Sequence, residues 1–131
     1  MRNHASLALV AAGLFFLAEL LYAQDSAGPG PVTLTGFYTW GGRASDLTVV
    51  LTPAGQGRWN AAYVARRGRQ ELHYTGIIEG QLKNGQVSGT GQANDRRTFI
   101  FRGTAKDGVI TARHFETTGG REKPTGDLTL R

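Results

Sequence analysis

From Val32 onward the chain alternates apolar and polar residues with a period of two, and this alternation constrains the fold more than any other feature. Successive side chains of a β-strand point to opposite faces, so the pattern predicts strands that bury one face. Helical periodicity is not evident in this region. The predicted strands are Thr33–Trp40, Asp46–Thr52, Arg58–Ala65, Glu71–Leu82, Gln86–Ala93, Arg97–Thr104, Val109–Glu116 and Gly126–Arg131.

Short turn sequences, most of them containing glycine, separate these strands. Asn84-Gly85 and Asp107-Gly108 are the clearest, because Asn-Gly and Asp-Gly accept the positive φ of two-residue hairpin turns. Most gaps are short, so consecutive strands should pair as antiparallel hairpins. We therefore predict an all-β, up-and-down meander of about eight strands closed into a small barrel, with a two-sheet β-sandwich as the alternative. In strand count and hairpin connectivity, this plan resembles that of lipocalin-like and avidin-like barrels.

Glycine recurs on the face that the alternation turns inward. Interior glycine ordinarily weakens a strand, so its repetition indicates strands that bend strongly, as in a small closed barrel. Aromatic residues on neighbouring strands are expected to cover the exposed backbone. The inward glycines are Gly36, Gly76, Gly80, Gly89, Gly91, Gly103 and Gly126.

The first residues of the chain carry the parts of a secretory signal peptide. Arg2 and His4 precede an apolar run from Ala5 to Leu21, and Ala23 supplies a small residue for cleavage. The protein is therefore predicted to be secreted or periplasmic and not to span a membrane after cleavage. Three parts are predicted: a signal peptide at 1–23, a flexible leader at 24–31 and a single all-β domain at 32–131.

The chain contains no cysteine, which excludes disulfides, Cys-ligated zinc and thiol catalysis. Small exported eukaryotic domains usually carry disulfides, so a bacterial domain is expected. The net charge of +5 favours anionic partners, such as an anionic polymer of the cell envelope or extracellular space. No metal, cofactor or catalytic motif is recognised, and specific recognition of nucleic acid is not predicted.

Aromatic residues are the first candidates for a ligand site. An eight-stranded barrel has an interior just wide enough to be filled or to hold one small ligand. Four aromatic residues share the inward pattern, and an inward His114 would add a polar contact. The candidate ligand-binding residues are Trp40, Trp59, Tyr63, Tyr74 and His114.

Arginines at two predicted hairpin tips are the second candidates. A guanidinium group binds carboxylate or phosphate through two parallel hydrogen bonds. If the two tips lie at the same end of the barrel, they form a cationic rim for an anionic partner. The residues concerned are Arg66, Arg67, Arg69, Arg96 and Arg97.

The direction of His114 and Glu116 is left open by the pattern. The echo between Lys83-Asn84-Gly85 and Lys106-Asp107-Gly108 sets a register that turns both inward, whereas a slip of one residue turns both outward. We therefore expect an exported, non-enzymatic binding domain for a small apolar or aromatic ligand or for an anionic partner. A structural subunit joined through sheet edges is the alternative, and a small secreted enzyme using His114 and Glu116 is a further one.

Overall fold

The computed structural model describes residues 30–94 and 96–131, which form an all-β barrel. Eight antiparallel strands pair in chain order, and β8 returns to β1, so the predicted closed meander is confirmed and no sandwich forms. The predicted signal peptide and leader up to residue 29 lie outside the described residues, as does Asp95. The strands are β1 (Val32–Trp40), β2 (Arg43–Gly55), β3 (Arg58–Arg67), β4 (Gln70–Gly80), β5 (Gly85–Ala93), β6 (Thr98–Lys106), β7 (Val109–Thr118) and β8 (Arg121–Leu130).

Because every connection is a hairpin, consecutive turns alternate between the two ends of the barrel. We call one the upper end; it carries the connections at 41–42, 68–69, 94–97 and 119–120. The lower end carries the connections at 56–57, 81–84 and 107–108, together with the start of β1 and the end of β8. No helix in the described ranges is long and apolar enough to cross a membrane.

The core is built from the inward face of every strand, as the alternation predicts. The largest side chains in it are almost completely buried, and a ring of smaller apolar residues fills the space between them. Outward positions between them are largely exposed and polar. The largest fully buried residues are Tyr63, Phe101, Leu51, Ile78, Ile110, Leu130 and Val49.

Inward glycines allow backbone groups of neighbouring strands to approach one another. A Cβ atom at Gly36 would overlap the carbonyl oxygen of Thr129, and one at Gly76 would overlap the carbonyl oxygen of Thr90. The strands can therefore pass each other closely only where the side chain is a hydrogen atom. Elsewhere aromatic rings cover glycine, as Phe99 does over Gly91, which is the arrangement expected from the sequence.

Several strand boundaries differ from the sequence prediction, and β2 is longer at both ends, running from Arg43 to Gly55 rather than from Asp46 to Thr52. Strand β4 ends at Gly80 rather than Leu82, because the amide of Gln81 donates to the carbonyl of Gln86 (3.0 Å) and closes a loop at 81–84 in place of a two-residue turn. Strand β8 begins at Arg121 rather than Gly126 and contains Pro124.

Proline fits in β8 because only β7 flanks this part of the strand. The pairing of β8 with β1 runs from Gly36↔Leu130 to Tyr38↔Leu128, whereas its pairing with β7 continues to Thr118↔Arg121. An edge segment tolerates the missing N–H of a proline.

The close approach at Gly36 predicts that barrel closure depends on this residue. In Gly36→Ala the new methyl group would push β1 away from β8, so we expect the free energy of unfolding to fall by about 3 kcal/mol. Urea denaturation of the domain measures this change. Gly30→Ala is the matched control, since a Cβ atom there meets no atom of the described residues within 4 Å. Equal midpoints for the two variants would contradict a tightly closed β1–β8 pair.

Candidate functional site

A cavity opens at the upper end of the barrel, and we call it the aromatic cup. Its buried base is formed by Leu47, Tyr63, Ala65 and Leu128. Its sides carry Tyr38, Trp40, Leu72, Tyr74, Phe99 and His114, and its remaining lining residues are Arg67, Arg97, Thr98 and Glu116.

One half of the aromatic wall comes from β3, β4 and β6. The ring of Phe99 packs edge-on against Tyr63 and Tyr74, with centroid distances of 5.1 and 5.2 Å. The Tyr63 hydroxyl donates to the carbonyl oxygen of Thr90 (3.0 Å), and burial raises the pKa of this phenol. The Thr90 carbonyl occupies the space that a side chain at Gly76 would need. Glycine at this position therefore supplies the buried phenol with its hydrogen-bond partner.

The other half of the wall lies where β8 meets β1. The rings of Trp40 and His114 stack at a centroid distance of 5.9 Å and an interplanar angle of 18°, and Tyr38 meets the imidazole edge-on at 6.3 Å. Tyr38 is held in turn by a hydrogen bond from its hydroxyl to the carbonyl oxygen of Arg66 (3.3 Å). These contacts fix the orientations of the three rings.

His114 is buried, and both of its ring nitrogens have partners. Nε2 lies 2.7 Å from the carbonyl oxygen of Thr39, and Nδ1 lies 2.7 Å from the hydroxyl oxygen of Thr125. A carbonyl oxygen only accepts, so Nε2 carries the proton and donates to it. In the neutral ring Nδ1 is then an acceptor, and the single Thr125 hydroxyl hydrogen is shared between Nδ1 and the carbonyl oxygen of His114, which lies 3.1 Å from that hydroxyl oxygen. Burial lowers the pKa of His114, against the raising effects of the Thr39 hydrogen bond and the charge of Asp127. The ring is therefore neutral at pH 7.

A β-bulge and a glycine position this histidine. The pairing of β7 with β8 shifts between His114 and Phe115, so Thr125 has no partner residue in β7 and can direct its hydroxyl at the imidazole. A side chain at Gly126 would overlap the Thr39 carbonyl and meet Nε2. The Thr39 hydroxyl also accepts from the amide of Asp127 (2.9 Å), which extends the β1–β8 contact beyond the regular pairing.

The structure brings together four of the five aromatic and histidine candidates. Trp40, Tyr63, Tyr74 and His114 line the same cup. Trp59 lies at the lower end as the second residue of β3, where it is half-buried against the core and opposite Ile78. It therefore does not contribute to the cup.

The arginine candidates lie at the same end of the barrel as the cup. Arg67, at the end of β3, and Arg97, just before β6, line the cavity. Arg66, Arg69 and Arg96 are exposed around it, and the Arg66 guanidinium lies 3.7 Å from the Glu71 carboxylate. The two arginine-bearing turns, at 68–69 and 94–97, therefore lie at the same end of the barrel, as a cationic rim requires.

Both members of the His114–Glu116 pair point inward. Glu116 is half-buried and lines the cup with His114. Sequence reasoning missed Thr39 and Thr125, which hold the imidazole, and also Tyr38 and Phe99 as wall residues. The alternation of inward and outward positions along β1 and β6 could have identified Tyr38 and Phe99 as wall residues. No local feature of the sequence points to Thr39 or Thr125.

A second depression, of about 360 Å³, lies on the outer surface over β4, β5 and β6. Pairing of β4 with β5 is interrupted here between Thr75↔Gln92 and Ile78↔Gly89. The Arg102 guanidinium at its border is bound to both oxygens of Glu122, at 3.0 and 2.6 Å. Although larger, this depression is open and lacks the converging rings of the cup, so we favour the cup. Among the described residues, no cluster of His, Asp and Glu suitable for a metal is present.

Burial of the imidazole predicts a stability that depends on pH. An unfolded histidine with its ordinary pKa near 6.5 protonates before the folded one, whose pKa is lowered. This contribution to stability is therefore complete above about pH 6.5 and is lost as the pH falls through that value towards the lowered pKa. Urea midpoints at pH 7.5 and 5.5 measure the loss.

Replacing the histidine isolates its part of this loss. His114→Gln should show a smaller fall in stability between the two pH values than the unmodified protein. His73→Gln, a change at an exposed position on the outer face of β4, is the control and should retain the full fall. An unchanged fall in His114→Gln would mean that the imidazole is not buried as a neutral group.

No protein-family model matches the chain, and comparisons with curated proteins and with solved structures also give no match. No relative therefore assigns an activity, a ligand or a partner. A function has to be inferred from the shape, charge and hydrogen bonding of the cup and of the barrel end that surrounds it.

Proposed function

We propose that this protein is an exported, non-enzymatic binding domain whose aromatic cup receives the apolar or aromatic end group of a small ligand. The observation that carries the proposal is the position of Trp40. Its indole stacks on the buried His114 ring at the mouth of an apolar cavity, yet it remains 41% exposed. A large apolar ring left half in water beside a preformed cavity is typical of a ligand-binding surface.

The size of the cavity limits what can enter it. Its volume is about 90 Å³, well below the roughly 300 Å³ at which pockets for drug-sized ligands begin. An engineered protein cavity of about 150 Å³ holds a benzene molecule. The cup therefore suits a single ring or a short alkyl end that is partly inserted, with the rest of the ligand remaining at the open mouth.

The cup offers little support for catalysis. A general base needs a ring nitrogen that is free to take a proton from the substrate. Both nitrogens of His114 are already bonded to Thr39 and Thr125, and burial lowers the pKa of the ring. Glu116 is then left without an available partner imidazole, so binding without chemistry is the better-supported function.

Assembly through sheet edges also has little support. Closure of the barrel pairs β1 with β8 and so removes the long unpaired edges that such assembly requires. The free segment of β8 at Arg121–Thr125 is short and carries Lys123 and Pro124. Charged residues and proline are features by which natural sheets discourage edge pairing.

Export is the second element of the proposal, and it rests on the sequence of residues 1–23. Contact of the exposed arginine turns with an anionic polymer of the cell envelope is a second candidate function. It is favoured by the position of Arg66, Arg69 and Arg96 at one end of the barrel.

Cleavage near Ala23 can be checked by the mass of the protein recovered from the periplasm or the medium.

The uncharged probe 2-phenylethanol tests the cup directly. We expect it to shift the indole N–H resonance of Trp40 and the backbone amide resonances of the cup residues in a saturable titration followed by NMR. The amide shifts give the affinity of Trp40→Ala, which lacks the indole. Trp40→Ala should weaken binding about tenfold or more, because the ring contact is lost. Trp59→Ala alters the tryptophan at the opposite end and should leave the affinity unchanged, with the amide spectrum reporting on the fold of both variants. Equal affinity in the two variants, or no saturable shift in the unmodified protein, would contradict the proposal.

A further inference from the structure

We propose that the ligand of the cup is a small amphipathic anion, with its apolar end between the aromatic walls and its negatively charged group bound by Arg67 and Arg97. This inference rests on the proposed function and adds the chemical class of the ligand. It treats the aromatic cup and the two arginines that line it as parts of one site rather than as two separate surfaces.

The lining of the cup carries more positive than negative charge. Arg67 and Arg97 enter it from the ends of β3 and β6, and Glu116 from β7 is the one acidic residue among the lining residues. His114 adds no charge at pH 7, because burial lowers its pKa. Glu116 lies opposite Lys123 in the β7–β8 pairing, which further offsets its charge.

The surrounding end of the barrel strengthens this positive potential. Besides the two lining arginines, further arginines lie in or beside the upper connections, whereas Glu71 and Glu122 are already paired with Arg66 and Arg102. A positive potential around a concave, low-dielectric mouth concentrates anions near it. The further arginines are Arg43, Arg69, Arg96 and Arg121, and Asp95, in the same connection as Arg96, carries the opposite charge.

Aromatic walls by themselves would also suit a cation, so the charge decides between the two ligand classes. A ring face attracts an ammonium group by about 0.5 to 2 kcal/mol. The lining arginines Arg67 and Arg97, together with the further arginines of the upper end, oppose this attraction. A guanidinium group instead matches a carboxylate, sulfate or phosphate through two parallel hydrogen bonds.

The dimensions of the cup place the charged group at the mouth. A cavity of about 90 Å³ holds only the apolar end of the ligand. The negatively charged group therefore remains at the mouth, near Arg67. Arg67 is exposed at the end of its strand, so binding there does not require an unpaired charge to be buried. An amphipathic anion thus satisfies the apolar base and the cationic mouth at the same time.

Three probes that share one ring and differ in charge test the inference: phenylacetate, 2-phenylethanol and phenethylammonium. NMR titration of the Trp40 indole N–H gives the affinity of each for the domain. We expect phenylacetate to bind tightest and phenethylammonium weakest, with about a tenfold difference or more between these two. Added salt should weaken phenylacetate binding and leave 2-phenylethanol binding nearly unchanged.

Charge substitutions then assign the effect to residues. Arg67→Gln and Arg97→Gln should each weaken phenylacetate about fivefold, and their effect on 2-phenylethanol should be clearly smaller. Glu116→Gln should act in the opposite sense and strengthen phenylacetate binding. Arg58→Gln, the same substitution at the lower end, is the matched control and should change neither affinity.

The possible outcomes separate this inference from the proposed function. If the three probes bind equally, or if phenethylammonium binds tightest, the ligand is not an anion, although the cup still binds apolar groups. If Arg58→Gln weakens phenylacetate as much as Arg67→Gln, net charge rather than the two lining arginines is responsible, and the inference is wrong. If none of the probes binds, the proposed function itself fails.

Discussion

The contact on which the rest of the structure depends is the approach of a backbone carbonyl into the space of a missing side chain. At Gly76 this carbonyl belongs to Thr90, and at Gly126 it belongs to Thr39. In both places an interior polar group donates a hydrogen bond to the exposed oxygen: the hydroxyl of Tyr63 in the first and Nε2 of His114 in the second. Inward glycine therefore does more than relieve crowding, because it provides acceptors inside a barrel that otherwise contains apolar side chains.

These two hydrogen bonds give the cup its rigidity. Tyr63 forms part of the base and holds Phe99 edge-on, and His114 supports Trp40 from behind. Every buried side-chain nitrogen and oxygen in the described part of the chain has a partner. The wall residues therefore need no rearrangement to complete their hydrogen bonds. Their side chains are already ordered in the folded protein, so ordering them would add little entropic cost to binding.

Much of the fold could be predicted from the sequence, because the alternation of apolar and polar residues and the residues that form turns are features of short stretches of chain. Alternation placed Trp40, Tyr63 and Tyr74 inward, and the glycine turns separated the strands. The start of β8 was missed because Pro124 argues against a strand unless its neighbours are known. Pairing of the first strand with the last has no local signature, so the residues that depend on it, Thr39 and Thr125, could not be found.

The candidate site shows a different limit. The alternation along a strand predicts whether a side chain points inward or outward, but not the end of the barrel at which it lies. Trp40 and Trp59 were therefore both predicted to line the same interior site. In a meander, successive turns alternate between the ends, and Trp40 precedes one turn whereas Trp59 follows the next. Counting turns along the sequence is enough to assign the two tryptophans to opposite ends. The space between the rings and the neutral state of His114 depend on packing across several strands, which no single stretch of sequence encodes.

Closure of the barrel also bears on the rate at which its strands pair during folding. Seven of the eight strand pairings join neighbours in the chain, and only the contact of β1 with β8 spans nearly the whole domain. Local hairpins can form quickly, whereas the long loop between the first and last strands makes their pairing a slow, late event. Trp40 and His114 lie far apart in the chain and meet only across this contact, so the cup is complete only once β1 and β8 have paired. A ligand that binds only the closed barrel would stabilise it, and would therefore oppose the separation of β1 from β8.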